Sequence, residues 1–513
     1  MEYQFSPLLV VSFIILFLTF LWFRKPRNKA TIKVPGPWKL PLLGNLHQLV
    51  AAESPLPHYA LRELSLKYGP LMHLQLGETS TVVVSSPDLA KQIMKTHDLS
   101  FAQRPQTSTA KIFTYGGSDI AFAPYGDYWR QMRKICILEL LSAKKVQSFS
   151  YVRQDEVSKL IESVQSSVGS VLDLSSEIYS FTSSIVMRVA FGDRHKNKDQ
   201  RQPLKLLRAA LEQLSGFQFA DLFPSMKLIH LITGMEAKLM KAHKNIDKFF
   251  DDIIKENQQK IIMRSAEGDK SSDDDALEEE NLVQVLLRIQ QSESLDVPIT
   301  TDNIKAVIWD MFGGGTDTSA TVLEWAMSEM MKNPKVMEKA QVEVRNVFNG
   351  KKVINESDMV QLSYLKSVVK ETMRLHPPVP LLIPRECRET CKINEYEIPI
   401  KTQIITNAWA IGRDPNYWYD AERFIPERFQ GNSDIDFRGT NFEFIPFGAG
   451  RRMCPGISFG LASIELPLAS LLYHFDWKLP RGVKPEDLDM TEELSVTDRR
   501  KNHLCLIPTP YKY

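Results

Sequence analysis

Apolar positions recur at helical spacing over several long stretches of the chain. Between residues 303 and 333 an apolar side chain occurs every three or four residues on both sides of a glycine run, which indicates a helix with a buried face. Residues 155–171 and 235–262 mix polar and apolar positions at the same spacing. The β-branched run Val82-Val83-Val84 lies between polar or turn-forming residues and predicts a strand. The body of the chain is therefore predicted to be mostly helical, with short strands near its start.

The amino-terminal residues follow a different pattern. In residues 3–23 the only strongly polar side chain is Gln4, and about 20 apolar residues suffice to cross a bilayer as a helix. Arg24, Lys25 and Arg27 come directly after this run, and positive residues on that side place the rest of the chain in the cytosol. No Lys or Arg precedes the run and no small-residue cleavage site closes it. An uncleaved anchor is therefore favoured over the alternative, a cleaved signal peptide.

Three parts of the chain are expected from this pattern. A membrane anchor helix covers residues 1–23, a basic and proline-rich hinge covers residues 24–41, and a cytosolic body covers residues 42–513. Pro35, Pro37 and Pro41 fix the backbone and cannot continue the anchor helix, so the hinge is expected to be stiff.

A glycine run interrupts the apolar pattern at Gly313-Gly314-Gly315, and Asp317 and Thr318 follow it. Each glycine inside a helix costs about 1 kcal/mol relative to alanine, so the run is a weak point within a strong pattern. Two interpretations stay open at this stage. A flat group could approach the backbone closely here, beside a carboxylate and hydroxyls that relay protons, or the run could be a break between two helices.

A second predicted helix, residues 362–375, carries Glu371 and Arg374 three positions apart, on neighbouring positions of one face. Pro377 ends this helix, and Arg428 in the run Pro426-Glu427-Arg428-Phe429 could join Glu371. A surface salt bridge of small energetic value is the alternative interpretation of this pair.

The most informative segment is the turn-rich run from Phe447 to Gly456. It places Cys454 just ahead of an apolar run, residues 457–475, that is predicted to be a helix. The positive end of a helix and nearby arginines stabilise a thiolate. Gly450 and Gly456 could leave room for a flat ring, and Arg452 could pair with a carboxylate such as a propionate. Since no Cys or His stands at zinc spacing, a lone buried cysteine is the remaining alternative.

Composition excludes several classes of protein. Lys and Arg number 63 against 62 Asp and Glu, and this balance argues against bulk attraction to nucleic acid. Five cysteines are too few for a disulfide scaffold. The 43% of hydrophobic residues is ordinary for a folded protein.

The chain resembles the cytochrome P-450 family, specifically the plant microsomal type that acts on specialised metabolites. The resemblance rests on motifs in the family's order: Trp129-x-x-x-Arg133, Gly314-Gly315-x-Asp317-Thr318-Ser319, Glu371-x-x-Arg374, Pro426-Glu427-Arg428-Phe429 and Phe447-x-x-Gly450-x-Arg452-x-Cys454-x-Gly456. It implies a mainly α fold with small β-sheets, in which a triangular helical body encloses a haem.

The resemblance also implies roles for individual residues. Cys454 would be the axial thiolate ligand of haem b iron. Thr318 and Asp317 would deliver protons during oxygen activation, and the glycine run beside them would leave room for dioxygen. The haem would further contact aromatic and basic residues, namely Trp129, Arg133, Arg385, Phe447 and Arg452. A buried charge network would comprise Glu371, Arg374 and Arg428.

By the same resemblance, the protein would be an NADPH- and O2-dependent monooxygenase of the endoplasmic reticulum membrane. Its electrons would come through a separate NADPH–cytochrome P-450 reductase, since the sequence has no dinucleotide-binding fingerprint. Lys134, Lys144 and Lys145 could face an acidic surface of that reductase. No nucleic acid is expected among the partners.

The substrate is expected to be lipophilic, because the segments that line the pocket in the family are nearly all apolar here. They contribute Ile112, Phe113, Ile120, Phe122, Val307, Met311, Val379, Leu381, Leu382, Leu494 and Val496. Similarity of the carboxyl-terminal half to sesquiterpene and diterpene hydroxylases favours a terpenoid. Open alternatives are an indole alkaloid or a phenolic, a haem-thiolate isomerase or dehydratase, and a haem carrier without turnover.

Overall fold

The computed structural model describes residues 32–192, 210, 219–226, 235–267, 280–292, 295–351, 354–431, 434–493 and 496–511. The predicted anchor, hinge residues 24–31 and the predicted pocket residue Leu494 lie outside the described residues. The predictions made for them are therefore not addressed by the coordinates.

Helices form most of the described chain. In chain order the α-helices are α1 Leu46–Val50, α2 Pro57–Tyr68, α3 Pro87–Lys91, α4 Ser108–Phe113, α5 Asp127–Ile135, α6 Ala143–Ser148, α7 Ser150–Ser166, α8 Leu174–Phe191, α9 Phe219–Leu222, α10 Met235–Glu267, α11 Leu282–Gln291, α12 Thr301–Lys332, α13 Pro334–Val347, α14 Ser363–Leu375, α15 Ala408–Ile411 and α16 Ile457–His474. Short segments of 3-10 helix occur at Glu356–Gln361, Pro426–Phe429, Gly450–Arg452 and Pro485–Asp487, and π-helical turns follow α3 and α5 at Gln92–Thr96 and Cys136–Leu140.

Three small sheets accompany the helices. Their strands are β1 Leu71–Leu76, β2 Thr79–Val84, β3 Leu172–Asp173, β4 Arg385–Glu386, β5 Cys391–Ile393, β6 Tyr396–Ile398, β7 Gln403–Thr406, β8 Phe475–Lys478 and β9 Cys505–Pro510. The orders are β1-β2-β7-β4, β3-β9-β8 and β5-β6. Strand β2 contains the predicted run Val82–Val84, pairs with β7 in parallel and is buried from Thr81 onwards.

The central element is α12, which passes through the main hydrophobic core. A reciprocal capping box begins it, in which the Asn303 N–H donates to Thr300 Oγ1 at 3.3 Å and the Thr300 N–H donates to Asn303 Oδ1 at 2.8 Å. The helix ends at Lys332, because Asn333 precedes Pro334 and the residue before a proline avoids helical dihedral angles. Because α12 is continuous across the glycine run, the interpretation of the run as a helix break is wrong.

Helices α8, α14 and α16 pack against α12 and supply most of the side chains around it. Helix α16 is the one helix among the described residues that is long and apolar enough to cross a membrane. More than half of its most apolar stretch is buried within the protein, as in a core helix.

Two predicted helices differ from the structure at their ends. Helix α7 ends at Ser166 rather than at residue 171, because the chain turns through Gly169, with φ +76°, into strand β3. Helix α10 extends to Glu267, beyond the predicted residue 262. The mainly helical fold with small sheets is as predicted.

Candidate active site

The loop before α16 fixes the position of the Cys454 sulfur. The Cys454 N–H donates to the Phe447 carbonyl at 2.9 Å, and the Gly456 N–H donates to Cys454 Sγ at 3.3 Å. Burial raises the pKa of the Cys454 thiol, while the Gly456 N–H and the Arg133 charge act in the opposite direction. The sulfur thus lies where a donor, a cation and the start of a helix can stabilise a thiolate.

Gly450 is required by packing within the protein rather than by a ring. Its φ is +70°, and a Cβ at this position would lie 2.1 Å from the Met94 carbonyl oxygen and 2.7 Å from Asp98 Oδ1. A Cβ at Gly456 would be 3.8 Å from Cys454 Sγ. Of the two glycines expected to make room for a ring, Gly450 instead lets the loop contact the segment after α3.

Four guanidinium groups gather beside this loop. They belong to Arg104, Arg133, Arg385 and Arg452, and the sequence had not singled out Arg104. Arg133 donates to the carbonyl of Met453, directly before the cysteine. The Arg452 guanidinium carbon lies 4.3 Å from the centroid of the Trp129 ring. Arg385 Nη1 pairs with Asp98 Oδ1 at 2.8 Å, while the other three arginines donate to backbone carbonyls.

The positive charges in this cluster repel one another. Burial, and after it the charge of Arg385, lowers the pKa of Arg452 to about 9. Burial, followed by the charges of Arg452 and Arg385, lowers the pKa of Arg104 well below its usual range. Because a guanidinium stays protonated in proteins, an anion would relieve this repulsion. A group with two carboxylates fits the arginines, and a metal that accepts a thiolate fits Cys454, so the residues present fit a haem with its two propionates.

Two adjacent glycines of α12 have different surroundings. A Cβ at Gly315 would lie 2.9 Å from Val186 Cγ2 of α8 and 3.2 Å from Phe459 Cε1 of α16, so this glycine permits close packing of three helices. A Cβ at Gly314 would meet no atom of the described residues within 4 Å. The Thr318 hydroxyl donates to the Gly314 carbonyl on the same helix. Gly314 and Thr318 thus line a face of α12 that the described residues leave uncovered.

Asp317 has partners that the sequence did not indicate. Arg499 Nη2 lies 3.0 Å from Asp317 Oδ1 and donates to Oδ2 at 3.1 Å, and the Thr497 hydroxyl donates to the same carboxylate. Asp317 is buried. The structure therefore holds this carboxylate in an ion pair with the carboxyl-terminal segment, in contrast to the partly exposed Thr318 hydroxyl.

The structure brings the three members of the predicted charge network together. Arg374 donates to Glu371 through Nε at 2.6 Å and Nη2 at 2.8 Å, and Arg428 Nε donates to Glu371 Oε1 at 3.1 Å. Arg374 Nη1 also donates to the carbonyls of Gly412 and Ala421, at 2.6 and 2.7 Å. All three side chains are buried, so the alternative of a surface salt bridge is wrong.

The predicted pocket residues divide into two groups by exposure. Phe113 and Val307 have 1% and 0% of their surface exposed and pack into the main core, where Phe113 stacks on Trp309. Ile120 is also buried. The others retain exposed surface and are all apolar: Ile112, Phe122, Met311, Val379, Leu381, Leu382 and Val496. Leu382 adopts φ +52°, a strained conformation for a leucine, in the turn after α14.

A basic groove lies on the surface next to the cysteine loop. It is lined by Tyr125, Trp129, Arg130, Arg133, Lys134, Ile137 and Arg451. Arg130, Lys134 and Arg451 are exposed, and Arg133 connects the groove to Met453. Of the three lysines expected to face a partner, Lys134 lines this groove. Lys144 and Lys145 lie on α6.

The chain is similar to known proteins over nearly its whole length. A family model described as Cytochrome P-450 matches residues 34–506. A Glycine max protein named Cytochrome P-450 71D8 is 58% identical over 99% of this chain and 99% of its own length. Premnaspirodiene oxygenase of Hyoscyamus muticus is 54% identical over 97% of this chain and 98% of its own. Desmethyl-deoxy-podophyllotoxin synthase of Sinopodophyllum hexandrum is 55% identical over 99% and 98%.

The fold is also similar to solved structures. A zebra fish cytochrome P-450 determined with abiraterone matches with a TM-score of 0.74, covering 89% of this chain and 99% of its own, at 24% sequence identity. At that identity the likeness concerns the fold.

Proposed function

Since the chain belongs to the cytochrome P-450 family, whose members are haem-thiolate monooxygenases supplied with electrons from NADPH by a reductase, we propose that its substrate is an apolar terpenoid of sesquiterpene or diterpene size. The product would be a hydroxylated terpenoid. The observation that carries this proposal is the lining of the predicted pocket, in which every described residue that retains exposed surface is apolar. An apolar lining binds a hydrocarbon by shape, and it offers no charge for a charged substrate.

A relative supports this choice. Premnaspirodiene oxygenase is 54% identical, and its name describes oxygen transfer to a diene, which is an olefin. A second candidate, a substrate of another chemical class, is favoured by desmethyl-deoxy-podophyllotoxin synthase, which is 55% identical and whose name describes synthesis of a podophyllotoxin derivative. Sequence identity does not separate the two candidates, and the apolar lining is our reason for proposing the terpenoid.

We assign the haem contacts as follows. Cys454 would supply the thiolate ligand of the iron, and the four clustered arginines with Trp129 would hold the propionates. The carbonyl of Phe447 holds the loop at Cys454. When bound, the haem supplies the activation of dioxygen that inserts one oxygen atom into a C–H bond.

The residues of α12 would control protons and water beside the haem. The Thr318 hydroxyl can pass a proton from Oγ1 while it exchanges its hydrogen bond to the Gly314 carbonyl. Asp317 would join this route when Arg499 and Thr497 release its carboxylate. The apolar side chains of Met311 and Leu382 would exclude bulk water from the reacting carbon.

We further propose that the protein is anchored in the endoplasmic reticulum membrane by residues 1–23, with the body in the cytosol. The apolar run and the basic residues after it support this topology. The reductase would dock at the basic groove, because electrons must reach the haem from the side of Cys454 and the exposed Arg130 and Lys134 suit an acidic partner.

Co-expression of the full chain with a plant reductase in yeast microsomes tests the proposal. We expect a carbon monoxide difference spectrum of the thiolate type, which Cys454→Ser should abolish. From a panel of sesquiterpene and diterpene olefins, indole alkaloids and phenolics, we expect NADPH-dependent hydroxylation of a terpenoid olefin, with a gain of one oxygen atom.

Three outcomes would contradict parts of this assignment. Turnover confined to phenolics or alkaloids would overturn the terpenoid proposal. Turnover without NADPH would indicate an isomerase or dehydratase. A thiolate spectrum with no NADPH consumption on any substrate would indicate a haem carrier.

A further inference from the structure

Residues 118–123, between α4 and α5, form a segment whose backbone is held mainly by side chains, most of them from other parts of the chain. The segment contains Ile120 and Phe122, both expected to line the pocket, and it contacts α12. We call it the pocket segment. A loop without secondary structure must find partners for its buried N–H and C=O groups, so the identity of those partners shows what determines its conformation.

Two aspartates bind the N–H groups of the pocket segment. Asp310 Oδ2, on α12, accepts hydrogen bonds from the Ile120 N–H at 2.7 Å and the Ala121 N–H at 3.3 Å. Asp119 Oδ2 accepts from the Phe122 N–H at 2.9 Å. One carboxylate of the central helix therefore fixes the backbone at the predicted pocket residue Ile120 and at Ala121, which precedes the predicted pocket residue Phe122.

The carbonyls of the same segment are bound by the side chains assigned to the haem site. Trp129 Nε1 donates to the Ile120 carbonyl at 3.0 Å, and Arg104 Nε donates to the Ala121 carbonyl at 2.9 Å. Arg452 Nη2 donates to the Ala123 carbonyl at 2.6 Å. The pocket segment is thus held between α12 on its N–H side and the arginine cluster on its carbonyl side.

Asp119 and Asp310 also interact with each other. Asp119 is fully buried, and its carboxyl lies next to that of Asp310. Desolvation, opposed by the Phe122 N–H, raises the pKa of Asp119 to about 6. Desolvation and the Asp119 charge raise the pKa of Asp310 well above its usual range. Two adjacent carboxyls share a proton, so the pair can connect α12 to the pocket segment without burying two negative charges.

We propose that Asp310, with Asp119 as the neighbouring carboxyl, is a positioning residue that determines substrate specificity by fixing the pocket segment over the haem site. This positioning role rests on the proposed function, because it concerns the same pocket. Without the Asp310 carboxylate, two N–H groups lose their acceptor, and the backbone at Ile120 and Ala121 must turn to find new ones. The side chains of Ile120 and Phe122 then move, which changes the shape offered to a bulky ligand.

The test uses the full-length holoenzyme and azole probes, so it does not depend on identifying the substrate. Imidazole reports access to the iron alone, whereas 1-phenylimidazole and ketoconazole also report the shape of the pocket. Their affinities are read from the shift of the Soret band in wild type, Asp310→Asn, Asp310→Ala and Asp119→Asn. The matched control is Glu324→Gln, because Glu324 is a buried acid on the same helix that bonds to Ser175 instead.

We expect haem content and imidazole affinity to stay near wild type in every variant. The ratio of ketoconazole to imidazole affinity should change by about tenfold in Asp310→Ala, and less in the two asparagine variants, which keep an acceptor oxygen. Glu324→Gln should leave the ratio unchanged. If the enzyme hydroxylates no terpenoid of the panel but the ratio of ketoconazole to imidazole affinity changes in the Asp310 variants, the proposed terpenoid substrate is wrong and the positioning role stands.

Two results would overturn the inference. An unchanged affinity ratio in all variants that retain haem would mean that the pocket segment keeps its conformation without Asp310. Loss of haem in both Asp310 variants would mean that the pair serves folding instead of specificity.

Discussion

The Thr318 side chain hydrogen-bonds to a backbone carbonyl of its own helix. Its hydroxyl donates to the Gly314 carbonyl four residues earlier, on the face of α12 that the described residues leave uncovered. A threonine bonded in this way competes with the backbone N–H of the next turn and loosens the helix locally. The hydroxyl can therefore exchange its hydrogen bond to the Gly314 carbonyl for another one. A group that transfers a proton must be able to do so.

Thr318→Ala should retain haem and the thiolate-type spectrum but lower the product formed per NADPH by about tenfold, with hydrogen peroxide released instead. Thr318→Ser should restore most of the coupling, because serine keeps the hydroxyl. The measurement is NADPH consumption against product and peroxide in reconstituted microsomes. Equal coupling in wild type and the alanine variant would show that protons arrive by another route.

Several residues of the site were recognisable in the sequence and others were not. Cys454 and the pair Glu371 and Arg374 lie in short motifs whose spacing itself carries the information. Arg104 gave no such signal, because its bonds go to the carbonyl of Ala121 in an irregular segment and to the carbonyls of Ile383 and Pro384, about 280 residues along the chain. The pairing of Asp317 with Arg499 likewise joins residues 182 positions apart. Contacts of this kind depend on tertiary packing, which local pattern does not encode.

At the scale of elements, α12 shows how one helix serves packing and chemistry at neighbouring positions. Gly315 faces Val186 and Phe459, while Gly314 faces space free of described protein atoms. The sequence predicted a functional weak point over the whole run but did not distinguish its members. Only the positions of α8 and α16 decide which glycine is structural.

Substitution by alanine should separate the two glycines. Gly315→Ala gains about 1 kcal/mol in helix propensity but forces a methyl group into contact at 2.9 Å, and overpacking typically costs about 1–3 kcal/mol, so it should lower stability. Gly314→Ala should raise stability by up to about 1 kcal/mol and lower turnover, because its methyl group enters the face beside Thr318. Thermal unfolding and NADPH-dependent turnover of both holoenzymes check this. The prediction fails if Gly315→Ala is the more stable variant.

The hinge meets the first sheet at a titratable residue. The His73 N–H donates to the Pro35 carbonyl at 2.7 Å, and the His73 ring nitrogen Nε2 lies 3.0 Å from Ser80 Oγ of β2. Burial, with a smaller effect of the Lys39 charge, lowers the pKa of His73 to about 4. The folded protein thus keeps His73 neutral at a pH at which the unfolded chain protonates it.

The pKa of His73 is about 6.5 in the unfolded chain and about 4 in the folded protein. Its contribution to stability is therefore fully present at pH values above 6.5, and it is lost as the pH falls towards 4. Between pH 7 and pH 5, His73 should therefore lower the free energy of unfolding by about 2 kcal/mol. His73→Gln, which can still bond to Ser80, should lack this part of the pH dependence. The difference between the two proteins in denaturant unfolding at pH 7 and pH 5 gives the value. If the free energy of unfolding changes equally with pH in both proteins, His73 does not have this role.

For the whole molecule, the predicted class was correct because helical periodicity and one short β-branched run dominate the pattern. The sheet order β1-β2-β7-β4 was beyond sequence reasoning, since β2 and β7 pair across more than 300 residues. The sequence also could not locate the basic groove. Its residues come from α5, from the residues just before and after that helix, and from the cysteine loop, and only the fold puts Arg130 and Arg451 on one surface.

The basic groove makes a prediction about association with the reductase. The combined change Arg130→Glu and Lys134→Glu reverses two exposed charges beside the cysteine loop, and it should raise the apparent KM for the reductase by about two- to tenfold. The wild-type KM should rise with added salt, and that of the variant should respond less, because exposed charges are screened within about 10 Å at 0.1 M salt. Lys335→Glu, an exposed lysine of α13 outside the groove, is the matched control and should behave as wild type. The carbon monoxide spectrum after chemical reduction should be the same in all three proteins, because it needs no partner. If the double variant keeps both the wild-type KM and its salt dependence, the reductase must reach the haem from a different surface.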